Sequence, residues 1–74
     1  MSSLTIEKAL AISLRRSNAS KTVGALVMIM LDTPLQMAEM CRFLLDNPDA
    51  TEQEIAQAAT GILDRFPSEN EDDL

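Results

Sequence analysis

The stretch that decides the fold is TVGALVMIMLDTPLQM, residues 22–37. Its nine residues from Val23 to Leu31 carry no polar side chain. The run is long for a strand, and the chain offers no second strand to pair with it; a lone strand is not stable. It therefore reads as a helix, in spite of the β-branched Val23, Val27 and Ile29. Ser20 is its expected N-cap and Leu31 its expected last residue. A helix that is apolar all round is expected to be buried all round. The end of the same stretch starts another helix. Thr33 caps it, Pro34 takes the first helical position, and Gln36 completes a T-x-x-Q capping box.

This third helix continues to about Asp46 and stops before DNPD, where Pro48 disfavours helix at Asn47. Met37, Ala38, Cys41, Leu44 and Leu45 form its expected core face. Glu39, Arg42 and Asp46 lie opposite, and Met40 and Phe43 fall between the two. On the N-terminal side, a first helix runs from about Leu4 to Ser17, with Ser3 or Thr5 as cap. Ile6, Leu10 and Leu14 recur at helical spacing, with Ala9 and Ser13 beside them. Arg15 and Arg16 sit in its last turn, where positive charge suits the helix dipole. SNAS then breaks the pattern.

A fourth helix opens on a second capping box, Thr51 with Glu54 in TEQE. It carries Ile55, Ala59, Ile62, Leu63 and Phe66 and ends at Pro67. Gly61 lies inside it, at a cost of about 1 kcal/mol relative to Ala. The remaining SENEDDL reads as a disordered acidic tail. No internal repeat is visible. The expected fold is all-α: a compact bundle of four short helices in one domain, residues 1–67, followed by the tail, residues 68–74.

Composition narrows the chemistry. A chain of 74 residues is one domain and buries too little surface to be very stable alone. The single Cys41 forms no internal disulfide, and with no His there is no zinc-site spacing. Regular helix packing and a partner are the remaining sources of stability. Catalysis lacks its commonest general base. Cys41, with Met37, Met40 and Leu45 as helical neighbours, reads as an inert core thiol. Asp46, Asp49, Glu52 and Glu54 cluster in one loop, but Pro48 and Ala50 occupy positions an EF-hand gives to ligands. No Gly-rich phosphate loop is present. The chain reads as a non-enzyme without metal, cofactor or small-molecule substrate. No secretory signal is recognisable, and the apolar run is far shorter than the ~20 residues that span a bilayer. A cytoplasmic setting follows as the expectation.

Charge is uneven. Residues 1–31 carry +3, and residues 32–74 carry −9, which together make the net −6. Either the two halves attract each other within one bundle, or a basic face serves one partner and an acidic face another.

CRFLLDNPDATEQEIAQAATGI, residues 41–62, resembles the first two helices of bacterial winged-helix and helix-turn-helix regulators. Asn47, Pro48, Thr51, Glu54, Ile55, Ala56 and Gly61 carry the resemblance, with one extra residue before the Gly. It implies a DNA-binding regulator in which the helix stops at Gly61 and a recognition helix follows. Only Ile62 to Phe66 precede Pro67, however, and this half is acidic, so phosphates would be repelled. In bulk properties the chain is similar to type III secretion chaperones and to small phage or plasmid-encoded inhibitors. That likeness implies a small bacterial protein that works by binding another protein.

Methionines are over-used on adaptable binding surfaces. Met28, Met30, Met37, Met40 and Phe43 are therefore the expected partner-binding residues, for a protein partner or a second copy of the chain. If Met30, Met40 and Phe43 form an interface they are exposed in the monomer, which is the favoured reading; the alternative is that they belong to the core. The reading is a non-enzymatic protein–protein interaction module, adaptor, chaperone-like or inhibitory. The alternative is a truncated or divergent helix-turn-helix regulator.

Overall fold

The computed structural model describes the backbone of residues 3–68 and the side chains of residues 5–68. The four helices are α1 (Ser3–Arg16), α2 (Lys21–Met30), α3 (Pro34–Asp46) and α4 (Glu52–Arg65). No strand occurs among the described residues. The expected all-α bundle is therefore present. The side chain of Ser3 and the acidic residues 69–74 lie outside the described residues. Thr5 sits within α1 and does not cap it.

Three caps stand where local chemistry puts them. The Ser20 hydroxyl accepts from the Val23 N–H at 3.2 Å. Thr33 and Gln36 form a full capping box, as do Thr51 and Glu54. Each satisfies backbone donors that a helix start leaves without intrahelical partners. Leu31 has extended backbone, so α2 closes one residue earlier than expected. Thr33 must be extended ahead of Pro34, which leaves few residues for the change of direction.

The helices neighbour one another in the cyclic order α1, α3, α4, α2. Asn18 donates to the Ala50 carbonyl at 2.9 Å and the Ser20 N–H to Glu52 Oε2 at 2.7 Å, joining the α1–α2 and α3–α4 loops at one end. At the other end Gln36 Nε2 donates to the Phe66 carbonyl at 2.6 Å and Ser68 Oγ to Asp32 Oδ1 at 2.8 Å. These ties place two helical hairpins side by side in the same sense. Ser68, grouped with the tail by composition, is thus held against Asp32.

Leu10 and Leu14, Val27 and Leu31, Met37, Met40 and Leu44, Ala50, and Ile55, Ala59 and Ile62 form one core. Leu10 and Leu14 on α1 and Ile55, Ala59 and Ile62 on α4 are buried as expected, whereas Ala9, expected beside the α1 face, is exposed. The face expected for α3 is rotated. Ala38 and Leu45 point outward, Leu45 at 76% exposure, while Met40 is fully buried. Gln36 is the reason. Its side chain is anchored inward by hydrogen bonds at both ends, and Met37, Met40 and Leu44 follow it at helical spacing.

The expectation that α2 is buried all round is also corrected. Val27 is its one buried residue, whereas Leu26 is 52% and Ile29 76% exposed. In a ring of four helices each member has two neighbours, and α2 touches only α1 and α4. Its outer side faces solvent.

Helix α4 runs through Gly61 without a break. The stop that the helix-turn-helix resemblance implies is absent. A Cβ built on Gly61 meets nothing within 4 Å. Gly61→Ala is therefore expected to raise stability by about 1 kcal/mol from helix propensity alone. For a domain of this size that is roughly 4–8 °C in Tm, readable by thermal circular dichroism.

Candidate interaction site

The five residues expected to bind a partner are not brought to one surface. Met37 and Met40 are in the core, Met40 with no accessible surface. Met28, Met30 and Phe43 are half-buried and pack against the core. The expected exposure of Met40 in the monomer is thus corrected. Its position one turn after Gln36 and Met37 turns it inward, where its unbranched chain fills the interior.

What is exposed instead is the outer side of α2. Thr22, Ala25, Leu26 and Ile29 all face solvent. They recur at the three- and four-residue spacing of a single helical face. Ser20 holds the start of this helix and so aims the face. Sequence reading missed Leu26 and Ile29 because every position from Val23 to Leu31 is apolar and no polar stripe marks an outside.

Beside that face, a cleft of about 480 Å³ opens between α1 and α2. Leu14, Gly24 and Met28 line its apolar part, and Arg15 and Lys21 stand at its mouth. Both cations are exposed. On the other hairpin a cleft of about 690 Å³ is lined by Phe43, Pro48 and Ala50 with Asp46, Asp49 and Glu54. The fold thus separates a basic cleft on the first hairpin from an acidic one on the second, which the lopsided charge of the sequence foreshadows. Among the described residues, no group of three or more His, Cys, Asp or Glu is placed to hold a metal ion. No described helix is long and apolar enough to cross a membrane.

Cys41 is half-buried. Burial pushes its thiol up, partly offset by a hydrogen bond with Ser13. It stays protonated at neutral pH and is a poor nucleophile.

Glu52 is different. The Ser20 hydroxyl and then the Ser20 N–H hold its carboxyl below the ordinary range. A carboxyl with a depressed folded pKa stabilises the fold above its unfolded pKa, and that contribution is lost as pH falls through the folded value. Glu52→Gln is therefore expected to lower Tm at pH 7. The difference from wild type should shrink as acid protonates Glu52. Melting curves across the acidic range check this; a difference that grows on acidification contradicts the Ser20–Glu52 tie.

In comparison with known proteins, no family model matches the chain, and neither a curated protein nor a solved structure matches it.

Proposed function

We propose that the chain is a small non-enzymatic protein-interaction module that docks its partner on the outer face of α2. The supporting observation is the exposure of Leu26 and Ile29 on one face of a helix whose opposite side holds Val27 in the core. Contiguous apolar surface of this kind marks interaction sites on small proteins. The half-buried Met28 and Met30 flank it and give it adaptability. The adaptor, chaperone-like or inhibitory role proposed for such a module needs no catalytic group. A cytoplasmic setting agrees with the single, unpaired Cys41.

The test is a double substitution, Leu26→Asp/Ile29→Asp. Both side chains are exposed, so the fold is expected to keep its helical spectrum and its stability to within about 0.5 kcal/mol per site. The immobilised wild-type chain should retain a defined protein from the lysate of its host, and the variant should lose it. Recovery of the same proteins by both forms would remove α2 as the docking face. A parallel duplex-DNA column checks the regulator alternative. With a net charge of −6, no retention is expected at about 0.15 M salt.

A further inference from the structure

We propose that the cleft between α1 and α2 receives an acidic amphipathic helix of a partner protein, its apolar side chains on Leu14, Gly24 and Met28 and its carboxylates against Arg15 and Lys21. The proposal rests on the reading of the chain as an interaction module and names the partner's chemistry.

Charge complementarity supports it. The cleft has an apolar floor, and two exposed cations stand at its mouth. Neither cation is pinned by a carboxylate among the described residues. Lys21 is the first residue of α2, where the helix dipole opposes positive charge. Glu52, whose carboxylate accepts from the Ser20 N–H, makes no ion pair with Lys21.

The cleft is also continuous with the docking face. Ala25 lines it and is exposed, and Ile29 lies one turn further along α2. A partner lying along α2 would cover both. The described residues contain no sheet edge to which an extended peptide could add, so a helix laid into a groove is the available mode. A second copy of the chain fits poorly. A two-fold contact centred on the cleft would bring the cationic Arg15, Arg16 and Lys21 of both copies into one interface, where like charges repel. Nucleic acid fits poorly too, because the chain as a whole carries a net charge of −6 and repels a polyanion.

The probes are two synthetic amphipathic peptides about 14 residues long, with leucines on one helical face. One carries Glu at the flanking positions and the other carries Lys. Binding to the full chain is followed by fluorescence anisotropy and by amide chemical shifts. The glutamate peptide should bind, weaken with salt, and shift the amides of Leu14, Gly24 and Met28. The lysine peptide should bind at least about tenfold more weakly, and Arg15→Gln/Lys21→Gln should reduce glutamate-peptide affinity by a similar factor. Equal binding of the two peptides overturns the proposal. So do shifts centred on the acidic cleft, an unaffected double variant, no saturable binding up to about 1 mM, or tighter binding of a DNA duplex. The peptide pair is compared on the wild-type chain, so the outcome does not depend on how the variant folds. If peptide charge has no effect while Leu26→Asp/Ile29→Asp still abolishes partner capture, the partner chemistry is wrong and the interaction reading stands.

Discussion

Met40→Glu is expected to unfold the chain. Met40 has no accessible surface and sits in the core between α1 and α4, the two neighbours of α3. The substitution removes the buried thioether. It places a carboxylate in the core, which costs several kcal/mol unless the group protonates. At about 0.05–0.15 kcal/mol per residue, the whole fold of so short a chain holds only roughly 4–11 kcal/mol. Far-UV circular dichroism at neutral pH should show loss of helix. Met40→Leu, which keeps volume and polarity, should cost less than about 1.5 kcal/mol and stay folded. A Met40→Glu protein that remains helical at neutral pH would contradict the burial of this side chain.

Gln36 carries the second large effect. It is fully buried and polar. Its Oε1 accepts from the Asp32 N–H at 2.9 Å and from the Thr33 N–H at 3.3 Å. Its Nε2 donates to the Phe66 carbonyl at 2.6 Å. One amide thereby closes the start of α3 and ties down the end of α4. Gln36→Leu keeps the bulk and removes all three bonds. With about 1–3 kcal/mol lost for each buried group left unpaired, and water reaching some of them, a net loss of about 2–4 kcal/mol is expected. Gln36→Glu replaces the donor with an acceptor that faces the Phe66 carbonyl oxygen. Its loss should be larger than that of the Leu variant at pH 7. The introduced carboxyl is disfavoured when charged, so its folded pKa is raised. The penalty is therefore full at neutral pH and shrinks below the ordinary carboxylate range, where a protonated carboxyl can donate to Phe66. Urea titrations of both variants at pH 7 and in acid read this directly. A Gln36→Glu penalty that does not change with pH would contradict the bond to Phe66.

Both effects concern α3, whose buried face the sequence misassigns. Its start was legible: Thr33, Pro34 and Gln36 are local chemistry, and the capping box forms as written. Its rotation about its own axis was not. Apolar residues at positions 37, 38, 40, 41, 43, 44 and 45 cover more of the helix circumference than one contact needs. Periodicity then admits two neighbouring stripes, one holding Ala38 and Leu45 and one holding Met40. The bond from Gln36 to Phe66, thirty residues away in the chain, selects the second.

The sequence by itself determined the number of helices, the N-caps of α2, α3 and α4 and, to within a residue or two, the helix ends. Those properties depend on residues close in the chain: Ser20, Thr33 and Thr51 each bond a backbone N–H three residues on. It also determined the inward faces of α1 and α4, where Leu10 and Leu14, and Ile55, Ala59 and Ile62, recur at helical spacing. The tertiary structure alone decided which side of α2 is covered. That run has no polar side chain to mark its outside, so its exposure depends on how many helices lie against it. Two do, α1 and α4. Leu26 and Ile29 are left in solvent because, among the described residues, no fifth helix lies against the ring to cover them.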